Sequence, residues 1–116
     1  MLFKGISRVF SLKNEDQYNT IGQFYDECEA IYGLDALVGL GYRWHGGNIY
    51  YAIGLVDGVI DGANFEMELP DDGWTLAVGM TESLKEMYDQ IYRDGALKLE
   101  LERFYNDGHC EIRYLR

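Results

Sequence analysis

Three glutamates near the end of the chain, Glu100, Glu102 and Glu111, have the spacing to act together. Glu100 and Glu102 stand two residues apart in the alternating run Leu97 to Phe104. Glu111 follows Asp107-Gly108, a dipeptide suited to a two-residue type I′ hairpin turn. Such a turn sets Asn106 opposite His109, Tyr105 opposite Cys110 and Phe104 opposite Glu111. Side chains alternate faces along a strand, so Leu97, Leu99, Leu101, Cys110, Ile112 and Tyr114 are expected on one face. Glu100, Glu102, Phe104, Glu111 and Arg113 are then expected on the other. Three carboxylates against one guanidinium, in a chain rich in aromatic residues, is chemistry for holding a cation. Carboxylates attract a delocalised cation by charge, and aromatic faces add about 0.5–2 kcal/mol each. The alternative for Glu100 and Glu102 is a solvated, charge-rich strand face.

The elements that would position these acids follow one order twice. Phe3 to Leu12 reads as a strand and ends at the polar cluster Lys13 to Asp16. Thr20, with Gln23 three residues on, resembles a capping box and predicts a helix start. Ile21, Phe24, Cys28 and Ile31 follow at helical spacing, and Gly33 suits a helix end. Ala36 to Trp44 and Ile49 to Val56 read as a hairpin across His45-Gly46-Gly47-Asn48. Asp57 to Asn64, rich in glycine and aspartate, reads as a connector. Phe65 to Leu69 and Trp74 to Met80 are strand-like, broken at Pro70 to Gly73. Thr81 is the expected N-cap of a helix to about Arg93, with Leu84, Met87, Tyr88 and Ile91 inward. The pattern predicts an α+β domain, residues 1–116, of two βαββ units at about 3–57 and 64–116. Two helices are expected on one face of an antiparallel sheet, with a ligand groove or a dimer interface on the other.

Composition bounds what such a site serves. At 116 residues the chain supports one core. Twenty acids against ten bases leave a net charge of −10, which repels phosphate backbones and anionic lipid surfaces, so neither direct nucleic-acid nor membrane binding is expected. Cys28 and Cys110 read as reduced, buried thiols, not a disulfide or redox pair. With no signal peptide or long apolar run, a cytoplasmic location is expected. No HxxxH or CxxC spacing occurs, so neither a metal site nor a cofactor is expected. His45 and His109 sit at turns and read as solvated. Ser7, Ser11 and Ser83 lack a G-x-S-x-G context, so no catalytic nucleophile is assigned. The tract LVGLGYRWHGG is not followed by a helix, so hairpin strands explain its glycines better than a dinucleotide fingerprint does. Tyr42, Tyr50 and Trp44 are further candidates for the site, with core or dimer packing the favoured role, and Tyr88 and Tyr92, one helical turn apart, read as helix packing.

The order of KGISRVFSLKN, IGQFYDEC, YYAIG, FEMELPDDGW and a final EIRYL resembles GyrI-like small-molecule-binding domains, the effector-binding domains of some AraC- and MerR-type regulators. The resemblance runs over nearly the whole chain and rests on the order and spacing of loose motifs. It implies a groove for lipophilic, often cationic, small molecules, walled by aromatics with glutamates at its base. By that resemblance Tyr25 stands where the first helix usually has Trp, Tyr51 at the strand tyrosine and Trp74 after the proline turn. Glu111 matches the acid of the last strand, and Glu100 or Glu102 its partner. Arg113 departs from the pattern, standing where an apolar or aromatic residue is usual, and can neutralise one carboxylate.

The expected function is a stand-alone binding module for amphipathic, cationic or aromatic small molecules, using Glu111, Glu102, Glu100, Tyr51, Tyr25 and Trp74. One alternative is a hydrolase of reactive electrophiles, with Glu111 or Glu102 as base and Tyr51 positioning the substrate. Another is an acidic protein whose partner is a basic protein surface, as in gyrase inhibition. A homodimer is compatible with all three readings.

Overall fold

The computed structural model describes residues 1–116 and contains one antiparallel sheet of seven strands with two α-helices. In chain order these are β1 (Leu2–Ser11), α1 (Gln17–Tyr32), β2 (Val38–His45), β3 (Asn48–Val56), β4 (Phe65–Glu68), β5 (Thr75–Met80), α2 (Leu84–Arg93), β6 (Leu99–Phe104) and β7 (His109–Leu115). The α+β class read from the sequence is observed. Across the sheet the order is β4-β1-β3-β2-β6-β7-β5, so β2 and β6 meet near its middle. β4 pairs with β1 at one edge, and β5 forms the other.

Local chemistry accounts for most boundaries. Gly46 and Gly47 join β2 to β3 with φ of 60° and 77°, as a type I′ turn requires of both central residues. α1 begins three residues before Thr20, whose Oγ1 donates to the Asp16 carbonyl at 3.2 Å from inside the helix. The expected capping box therefore does not form. Gly33 ends α1 with φ of 79°. Thr81 to Ser83 make a short 3-10 turn before α2, which displaces Thr81 from the N-cap.

Both helices lie on the same sheet face. Phe24, Tyr25 and Cys28 of α1 pack with Ile49, Tyr51 and Ile53 of β3. Tyr88 and Ile91 of α2 pack with Ile112 of β7. Register links these strand residues through Gly41, which pairs with both Tyr51 and Glu100, and through Glu102, which pairs with Ile112. The opposite face buries Phe3, Val38, Leu40, Ala52 and Leu101 together with Leu69, and Trp74 packs against this cluster.

That second cluster corrects the expectation of a groove on the face away from the helices. Six strand spacings would separate β4 from β5 by about 29 Å in a flat sheet. The seven peptide steps from Glu68 to Thr75 reach at most about 25 Å. The sheet must curl to let this linker join its two edges, which brings apolar side chains on the far face together. An apolar core forms there instead of a groove.

The last hairpin also departs from the expected register. Tyr105 pairs with His109: its N–H donates to the His109 carbonyl at 3.1 Å, leaving Asn106, Asp107 and Gly108 as a three-residue loop. Gly108 alone takes a positive φ, 91°, whereas a type I′ turn would need one at Asp107 too. Asp107 instead accepts the His109 backbone N–H at 3.0 Å, which favours the longer loop. Phe104 therefore pairs with Cys110, Glu102 with Ile112 and Glu100 with Tyr114. A slip of one residue exchanges faces along a whole strand. Glu111 and Arg113 thus leave the face that carries Glu100 and Glu102, and Cys110, Ile112 and Tyr114 join it.

Candidate functional site

β6 carries Glu100 and Glu102 to the floor of a cleft of about 1040 Å³ between α1 and α2. Each glutamate is only 4 % exposed. Their neighbours in the next strand make room for them. Gly41 pairs with Glu100 and Gly39 with Glu102. A Cβ on Gly41 would lie 2.6 Å from the Glu100 Cγ, and one on Gly39 would overlap the hydroxyls of Tyr51 and Tyr25. A side chain at either place would force these groups to shift.

Tyrosines satisfy both acids. Tyr88 of α2 donates to Glu102 Oε2 at 2.6 Å, and Tyr51 of β3 donates to Glu102 Oε1. Tyr51 Oη also lies 3.1 Å from Tyr25 Oη, joining α1 to the network. Tyr92, one turn after Tyr88, donates to Glu100 Oε2 at 2.7 Å. The Tyr88 and Tyr92 rings stack at 5.7 Å, and Phe104 meets Tyr25 edge-on at 5.0 Å. Trp44, Tyr18, Ile21, Ile49 and Leu84 complete the walls.

The electrostatics of the floor are unusual. Neither glutamate forms an ion pair with a lysine or arginine. Lys85 lines the cleft, but its ammonium is held at 2.9 Å by Asp89 and at 3.4 Å by Glu15. Burial, reinforced by the charge of Glu102, raises the Glu100 pKa to about 8. Burial raises Glu102 as well, and the Tyr51 and Tyr88 hydrogen bonds counter part of that rise. The phenols respond in turn: burial and the neighbouring carboxylates push Tyr25, Tyr51, Tyr88 and Tyr92 well above the ordinary tyrosine value. At neutral pH these hydroxyls are donors.

Of the six residues expected at the site, Glu100, Glu102, Tyr51 and Tyr25 come together. Glu111 does not join them: it pairs with Arg113 at 3.1 Å on the opposite face. Trp74 is also on that face, where its indole N–H donates to the Pro70 carbonyl at 2.8 Å. Arg113 does neutralise one carboxylate as expected, but that carboxylate is Glu111, on the face away from the cleft. Sequence reasoning named Trp44 as a further candidate while favouring packing, and missed Tyr88 and Tyr92, assigning them to helix packing. Two signals pointed to them and to the glycines: a Tyr pair at i, i+4 facing an alternating ELE strand, and an alternating GLG strand to receive it.

No protein-family model matches the chain, and no curated protein matches it either. No group of three or more His, Cys, Asp or Glu side chains is arranged to hold a metal ion. No helix is long and apolar enough to cross a membrane.

Proposed function

We propose that the protein binds amphipathic aromatic cations in the cleft between α1 and α2, in the manner of the GyrI-like domains it resembles. One observation carries the reading: Glu100 and Glu102 are buried beneath aromatic walls with hydroxyl donors but no protein cation. Buried carboxylates ordinarily have a positive partner, because burial penalises the charged form by several kcal/mol. A ligand cation supplies such a partner and favours the ionised form of the acids, and the aromatic rings suit a flat, delocalised one. The strand order supports the resemblance. β1, β3 and β2 with α1, and β5, β7 and β6 with α2, read as two βαββ units joined along β2 and β6.

Titration with crystal violet, a lipophilic triarylmethane cation, tests this. Trp44 lines the cleft and Trp74 does not, so quenching is expected in wild type and is lost in Trp44→Phe. Glu100→Gln and Glu102→Gln each weaken binding by about tenfold or more, the value of one well-placed charge. Saturable quenching that survives both substitutions unchanged overturns the reading.

A hydrolase is the second reading, favoured by the hydrogen bond between Tyr51 and Glu102. A carboxylate with a raised pKa is a competent general base near neutral pH. In this reading Glu102 activates water toward a strained electrophile that a tyrosine hydroxyl holds. Turnover lost in Glu102→Gln with affinity for a neutral electrophile retained distinguishes it from binding alone.

A further inference from the structure

We infer that the cleft is built for a ligand with two cationic heads that carry N–H groups, spaced by a flat apolar linker, one head at Glu100 and the other at Glu102. This rests on the cation-binding reading above and specifies its ligand class.

The first support is that the two acids are separate sites. They do not hydrogen-bond one another, unlike a carboxylate dyad that shares a proton. Each has its own hydroxyl donors, Tyr92 for Glu100 and Tyr51 with Tyr88 for Glu102. Two residues along a strand place their Cα atoms about 6.7 Å apart. A ligand with two positive heads gives each carboxylate its own counter-charge when both are ionised. Aromatic side chains stand on both helices beside this line, and the cleft is large enough for a linker of one or two rings.

The second support comes from the unfilled polar atoms. Both oxygens of Glu102 accept tyrosine hydroxyls, whereas Glu100 Oε1 accepts from no protein donor. Gln17 Oε1, also in the cleft lining, is buried without a hydrogen-bond partner. Buried acceptors are ordinarily satisfied. Glu100 Oε1 keeps access to the cleft, and a ligand that meets it and the buried Gln17 Oε1 supplies N–H donors, which an ammonium, amidinium or guanidinium has and a quaternary ammonium lacks. The groups facing the two carboxylates are Tyr92 and Tyr88 of α2, Tyr51 of β3, and Tyr18 and Tyr25 of α1. None brings a positive charge.

Calorimetric titration of the full chain with three small probes decides the matter. 1,4-Bis(aminomethyl)benzene carries two ammonium heads across one ring, 4-methylbenzylamine carries one, and the bis(trimethylammonio) analogue carries two without N–H. The diamine is expected to bind about tenfold or more tighter than the monoamine, a difference of about 1.4 kcal/mol, and tighter than the quaternary analogue. Glu100→Gln and Glu102→Gln should each bring the diamine close to the monoamine, in protein shown to be folded by circular dichroism. The wild-type probe series alone decides if a variant does not fold. Equal affinity of diamine and monoamine overturns the inference while leaving cation binding intact. A quaternary analogue equal to the diamine overturns the N–H requirement. Crystal violet binding with no binding of the diamine also rejects the inference. Failure of crystal violet and all three amines rejects the cation-binding reading itself.

Discussion

Gly39 stands directly across from Glu102 in the β2–β6 ladder, and the space its missing side chain vacates holds the hydroxyls of Tyr51 and Tyr25. A strand glycine ordinarily weakens a sheet, because it forgoes packing and adds entropy to the unfolded chain. Here it admits the donors that make a buried carboxylate tolerable. Gly41 instead makes room for the Glu100 side chain itself.

Gly39→Ala should therefore displace Tyr51 from Glu102. Overpacking of this kind costs about 1–3 kcal/mol, read as a lower midpoint in urea unfolding. Affinity for crystal violet should fall with it. Gly22→Ala is the control: it lies on α1, where a Cβ meets nothing within 4 Å, and it should leave stability unchanged or raised.

The pH dependence of stability follows from Glu100. Its pKa is about 8 in the folded chain and near the ordinary 4.5 when unfolded. Between these values the folded state holds a proton that the unfolded state has lost, so stability falls as pH rises from about 4.5 to about 8. The slope for one proton is at most about 1.4 kcal/mol per pH unit. Denaturation midpoints measured across this range should show the decline, and Glu100→Gln should flatten it. A saturating cationic ligand should oppose it as well, because it favours the ionised form.

Tyr88→Phe removes a donor from Glu102 without changing the aromatic wall. A hydrogen bond to a charged group is worth about 1.5–3 kcal/mol. The substitution should raise the Glu102 pKa further and shift the pH at which crystal violet affinity rises to higher values. Carboxyl titration by NMR with labelled glutamate measures the first effect, and dye titration against pH the second.

Glu111→Gln and Trp74→Phe separate the cleft from the far face. Both residues lie beyond the sheet from Glu100 and Glu102. Crystal violet affinity should stay within about twofold of wild type in each, as expected of sites that share no partners. The half-exposed Glu111–Arg113 pair contributes at most about 1 kcal/mol to stability, so its loss should shift the urea midpoint little.

Much of the scaffold was legible along the chain because it depends on neighbours in sequence. Alternation in LKLELERF, helical spacing in IGQFYDEC, and the paired glycines at 46 and 47 each reflect local geometry. They sufficed for the α+β class, for both helices and for all seven strands to within a few residues. The chemistry of β6 was legible too, since Glu100 and Glu102 must share a face whatever their partners.

Which other residues share that face depended on tertiary structure. Asp107-Gly108 permits both a two-residue and a three-residue loop, and the difference of one residue decides whether Glu111 joins the acids or leaves them. The side on which the cleft opens was likewise a matter of assembly. The short link from Glu68 to Thr75 curls the sheet, so the far face closes into a core and the space left between the helices becomes the cleft. Tyr88 and Tyr92 acquired their role in the same way: helical spacing set them side by side, but only docking of α2 on the sheet brought their hydroxyls to the carboxylates. Sequence determines what each segment can present, and the packing of segments decides what it meets, because hydrogen bonds to a buried charge join residues far apart in the chain.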